Sequence, residues 1–130
     1  MKLSNRNRSV AVAAHLGALS VLLAASLITP PRASAHSVVV ATDPDRNGVV
    51  AIAPTQVIMD WNERVTNVVE TVIGPDNAQW STGSAQGSGA QYSVGMRPDA
   101  PPGLYTVNWN VISDDGDPVS GSWTFTVKPS

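Results

Sequence analysis

Tyr105-Thr106-Val107-Asn108-Trp109-Asn110-Val111 and, after an acidic bend, Val119-Ser120-Gly121-Ser122-Trp123-Thr124-Phe125-Thr126-Val127 decide the fold. In both runs the large apolar residues fall on every second position, and Thr, Asn and Ser fill the places between. A period of two with one apolar face is the pattern of a half-buried β-strand. Two such runs joined by a short bend predict an antiparallel pair. The apolar face needs a covering layer. No helical periodicity occurs between His36 and Ser130, so that layer must be a second sheet. The expectation is an all-β, immunoglobulin-like β-sandwich with Greek-key connections and about seven strands. Tyr105, just after Pro101-Pro102-Gly103 and at the head of a strand, suits a tyrosine corner.

The residues upstream read in the same way. Val38-Val39-Val40 opens a strand, and Asp43-Pro44 and Asn47-Gly48 punctuate the stretch after it. Val49 to Ile52 is a short apolar run closed by Pro54. Val57, Met59 and Trp61 alternate within the next run, and Val68 to Ile73 is β-branched up to the turn at Gly74-Pro75-Asp76-Asn77. Ser81 to Ala90 holds only Ser, Thr, Gly, Ala and Gln and is expected to be a flexible loop. Trp61, Trp109 and Trp123 sit on alternating apolar faces and are assigned to the core; Trp80 is expected to be partly exposed. Met59 lies on an apolar face and is assigned to packing, and Met96 lies in a strand.

The first 35 residues have a different character. Lys2, Arg6 and Arg8 make a basic start, Val10 to Ile28 is largely apolar, and Pro30-Pro31 precedes Ala33-Ser34-Ala35. This is the layout of a secretory signal, with cleavage expected after Ala35. The expected organisation is therefore a signal peptide over 1–35 and one domain over 36–130, exported to the periplasm or the cell exterior and not membrane-spanning. From His36 onward four basic residues face ten acidic ones, a formal charge of about −6. An acidic surface excludes nucleic acid as a partner and is compatible with cations. The chain contains no cysteine, which excludes disulfides, thiolate chemistry and cysteine-based zinc sites. With no Gly-x-Ser-x-Gly elbow and His36 the only histidine beyond the leader, a non-enzymatic role is expected.

The bend between the two deciding strands is Ser113-Asp114-Asp115-Gly116-Asp117-Pro118. Asp-Gly alone is common hairpin chemistry. His36 changes its meaning. A histidine at a free N-terminus offers two nitrogens to one metal ion, the α-amine and ring Nδ1. In an immunoglobulin-like sandwich the first strand starts at the same end as the final hairpin, so His36 could meet Asp115 and Asp117 there. Two nitrogens with one or two carboxylate oxygens form a tetragonal set suited to Cu(II). Calcium would need six or more oxygens.

The segment from Tyr105 to Val127 resembles the closing signature of the CopC/PcoC periplasmic copper-binding family, which runs Tyr-x-Val-x-Trp-x-Val-x-Ser-x-Asp-Gly-His-Pro-x-x-Gly-x-x-x-Phe-x-Val. His36, Pro44, Gly48, Pro54-x-x-Val57 and Pro102-Gly103 extend the likeness over the whole exported domain. The resemblance implies a small β-sandwich that binds Cu(II) in copper resistance, homeostasis or transport, working beside a membrane copper transporter or another exported copper protein. The ligands it implies are His36 and Asp115; at the third position the family has histidine where this chain has Asp117. The alternative is an interaction module of the same fold whose copper site has lapsed.

Overall fold

The computed structural model describes residues 37–130. The expected signal peptide, its expected cleavage site and His36 lie outside the described residues. The described chain forms eight strands: β1 (Val39–Asp43), β2 (Val49–Val50), β3 (Gln56–Trp61), β4 (Thr66–Ile73), β5 (Ser81–Ser88), β6 (Gln91–Met96), β7 (Gly103–Ile112) and β8 (Pro118–Val127). They build two four-stranded sheets, ordered β1-β3-β6-β5 and β2-β8-β7-β4. Every pairing is antiparallel except β2 with β8, which is parallel. Among the described residues no helix is long and apolar enough to cross a membrane.

The deciding pair forms as its alternation dictates. β7 and β8 are in register from Gly103↔Val127 to Ile112↔Pro118 without interruption. Tyr105, Val107, Trp109 and Val111 face inward opposite Phe125, Trp123 and the start of β8, and all but Val119 among these strands' apolar inner residues are buried. The covering sheet supplies Val39, Val57, Met59, Trp61, Val94 and Met96. Aromatic contacts tie the layers together. Trp61 meets Trp109 edge-on at 5.8 Å, and Trp123 Nε1 donates to Met59 Sδ at 3.5 Å. Within the β7–β8 sheet Tyr105 stacks on Phe125 at 5.2 Å. The three core tryptophans and Met59 therefore pack as their positions foretold, and Met96 is buried as well. The Tyr105 hydroxyl donates to the Pro101 carbonyl, which is the tyrosine corner.

One expectation fails. Ser81–Ser88 is a strand, β5, and not a flexible loop. Its bonds to β6 are made by backbone, which composition cannot reveal. Pairing holds at Ser81↔Met96 and Thr82↔Gly95, slips over the next residues, and resumes at Gln86↔Ser93. Trp80 is half-buried, as expected. Its Nε1 donates to Asp76 at 2.9 Å and its ring lies 4.3 Å from the Arg97 guanidinium. That hydrogen bond is the main reason the Asp76 carboxyl is held below its ordinary range.

Candidate metal site

Three separate pieces of chain meet at the hairpin end of the sandwich. The first is the entry to β1. Ser37 is buried, and its hydroxyl donates to Glu63 Oε1 at 2.8 Å. Val38 N–H donates to Asn62 Oδ1 at 2.8 Å, and Asn62 N–H returns a bond to the Val38 carbonyl at 2.9 Å. Asn62-Glu63 thus grips the chain directly after His36. The second piece is this β3–β4 connection itself, which feeds β4 at Thr66, opposite Ile112. The third is the turn that begins one residue later, at Ser113.

The turn is tied from within. Ser113 N–H donates to the Asp117 carbonyl at 2.8 Å, and Gly116 N–H donates to the Ser113 carbonyl at 2.9 Å. The buried Ser113 hydroxyl donates to Asp115 Oδ1 and accepts from Asp117 N–H at 3.1 Å. Asp117 N–H also reaches Asp115 Oδ1 at 3.4 Å. Asp114, Asp115 and Asp117 are exposed while the serine beneath them is not. These bonds fix the turn backbone, and one Asp115 oxygen folds back onto it.

A cavity of about 300 Å³ lies between the first piece and the β7–β8 pair, lined by Ser37, Val38, Trp109, Val119 and Ser120 among others. The start of β1 and the start of β8 thus lie on one end of the molecule. A ligand set of His36, Asp115 and Asp117 requires this convergence. Among the described residues no three His, Asp or Glu side chains stand close enough to hold a metal unaided. Asp115 and Asp117 share the turn; His36 lies outside the described residues.

The sandwich residues match a known domain. The CopC domain profile matches residues 39–128. The chain belongs to the CopC family. Protein YobA of Escherichia coli (strain K12) is 32% identical over 112 residues, covering 82% of this chain and 90% of that one. Copper resistance protein C of Pseudomonas syringae pv. tomato is 27% identical, covering 82% and 92%. The copper transport protein CutJ of Bacillus subtilis is also 27% identical, but there the match spans only 21% of a longer protein. Among solved structures, CopC from Methylosinus trichosporium OB3b superposes with a TM-score of 0.65 at 25% identity, covering 72% of this chain and 95% of that one. The family resemblance read from the Tyr105–Val127 signature is correct.

Sequence reasoning missed two CopC-domain residues. Glu63 comes after the strand ending at Trp61 and had no motif to mark it; only the fold carries it to Ser37. Glu70 had a readable signal. Val68, Glu70 and Val72 alternate, which sets a carboxyl on the core face of β4. Glu70 is 2% exposed, and neither carboxylate oxygen has a hydrogen-bond partner. Burial pushes its pKa from 4.5 up to about 8.

Proposed function

We propose that this CopC-family protein is an exported carrier of Cu(II), with no catalytic activity, acting in copper resistance, homeostasis or transport. The observation that carries the reading is the meeting of the β1 entry, Asn62-Glu63 and the Ser113–Asp117 turn at one end of the sandwich. His36 directly precedes Ser37. Its amine and ring begin within one residue's reach, roughly 3.8 Å of chain, of the segment that Glu63 holds. The amine, ring Nδ1 and the carboxylates of Asp115 and Asp117 form the ligand set, with Glu63, the partner of the Ser37 hydroxyl, a further oxygen donor.

The chemistry of this set favours the oxidised ion. Carboxylate and amine are hard or intermediate donors, whereas Cu(I) is selected by thioether and thiolate. Met59 and Met96 are buried in the core and serve packing. Asp117 at the family's histidine position leaves the set more anionic and less nitrogen-rich, so copper is held less tightly than by a two-histidine site. The longer protein that contains a matching segment is named for copper transport, which supports a copper transporter, or another exported copper protein, as the partner.

The test compares the chain starting at His36 with the same chain carrying one additional Met ahead of it. Cu(II) is titrated while tryptophan fluorescence is followed, because Trp109 lines the cavity at this end. The first form is expected to show saturable one-to-one quenching, and the extended form at least tenfold weaker binding. Equal binding by the two forms overturns the reading and leaves the interaction-module alternative.

A further inference from the structure

The two sheets part company along β4 and β5. These strands are the edges of their sheets on the same side of the sandwich. They are stitched at one end only. Val72 N–H donates to Ser81 Oγ at 3.0 Å, and Trp80 N–H donates to the Val72 carbonyl at 2.7 Å. Two residues back along β4 the stitching stops at Glu70. Opposite, β5 slips out of register with β6 between Thr82 and Gln86. A cavity of about 200 Å³ opens there, lined by Val68, Val69, Glu70, Thr71, Gly83, Ser84 and Ala85.

A buried carboxyl without partners is uncommon, since buried polar groups are nearly always hydrogen-bonded. Here both oxygens are buried without a hydrogen-bond partner, in a residue that lines an open cleft. We propose that this cleft binds an organic cation, an ammonium or guanidinium group on a short apolar stem, whose N–H groups pair with the Glu70 carboxylate once that side chain turns toward the cleft. The stem would lie along Val68, Val69 and Ala85. Thr71 and Ser84 hydroxyls and the backbone of the slipped segment supply further acceptors. A metal ion does not fit: the lining offers one carboxylate and no imidazole, thioether or second acid, too few for a hard cation. The charge of about −6 from His36 onward draws cations toward the domain. Without a ligand the acid is neutral at pH 7, its pKa being about 8; a bound cation would draw it back toward the ordinary range.

This site is independent of copper, so its test needs none. All the described core residues fall within Val39–Val127, so the chain starting at His36 carries its own core. That chain, with carbon-13-labelled glutamate, is titrated by NMR with butylammonium and with methylguanidinium. In a parallel arm the probe is a blocked five-residue strand peptide with a central lysine. The expected result is a fall of about one unit or more in the Glu70 titration midpoint. Saturable shifts at the Thr71, Ser84 and Ala85 amides should accompany it and vanish in Glu70→Gln. Binding by the small cations identifies a free amine as the ligand chemistry; binding by the peptide alone identifies a protein side chain. An unchanged midpoint with every probe overturns the proposal, as do equal shifts from butanol or in Glu70→Gln. Should Glu70→Gln not fold, the wild-type midpoint decides alone.

Discussion

The hairpin end and the β4–β5 edge both carry acidic groups, and they treat them in opposite ways. At the hairpin, Asp115 and Asp117 stand in water on a turn whose serine and backbone bonds fix the acids in place. At the edge, Glu70 is buried and its oxygens have no hydrogen-bond partner among the described residues. The first arrangement keeps its acids at the surface, where the proposed metal site needs them. The second keeps its acid neutral at the expense of stability. Packing differs in the same sense. A Cβ at Gly121, near the hairpin end, would come within 2.7 Å of the Trp109 ring, whereas one at Gly83 on β5 would meet nothing within 4 Å.

The sharpest way to break this contrast is to remove the buried acid. Below pH 4.5 Glu70 is neutral in both folded and unfolded chains. Between 4.5 and about 8 only the unfolded chain ionises, so stability falls as pH rises, and above about 8 it levels off. Glu70→Leu lacks this slope. It is expected to exceed wild type by about 2–4 kcal/mol at pH 8.5, with a smaller gain at pH 5. Urea denaturation at the two pH values measures it; parallel pH profiles would show that Glu70 is already solvated. Gly121→Ala tests the tight side. Overpacking against Trp109 should cost about 1–3 kcal/mol in the same assay. No loss would mean that the ring has room to move.

Most of the fold was legible because it rests on side-chain alternation. β7 and β8 were readable residue by residue, and the tyrosine corner could be placed from Tyr105 and the prolines before it. β5 was not legible, because a strand held by backbone bonds at a sheet edge needs no β-branched or alternating residues. The site divides in the same way. Asp115 and Asp117 announced themselves by spacing and by likeness to a family motif. Glu63 did not, since its relation to Ser37 spans 26 residues of sequence and exists only once β1 pairs with β3.

Back at the hairpin, the comparison can be sharpened on the metal side. Asp117→His replaces a carboxylate by an imidazole at the family's histidine position. It should tighten Cu(II) by at least tenfold, about 1.4 kcal/mol, as followed by competition with a chelator. Unchanged affinity would remove residue 117 from the ligand set while leaving His36 and Asp115 to be tested.

The smallest effect concerns Ser113, and it separates scaffold from ligand. Its hydroxyl bonds Asp115 and Asp117 N–H, but the turn is also closed by backbone bonds from Ser113 to Asp117 and from Gly116 to Ser113. Ser113→Ala should therefore cost only about 0.5–1.5 kcal/mol in urea denaturation. Asp115 would lose the partner that orients it, and groups that orient a metal ligand typically matter by roughly 10-fold or more in affinity. Copper binding should thus weaken by more than the stability change alone would suggest. If stability falls and copper affinity does not, Ser113 serves only the turn, and the aim of the Asp115 carboxylate is set by the backbone.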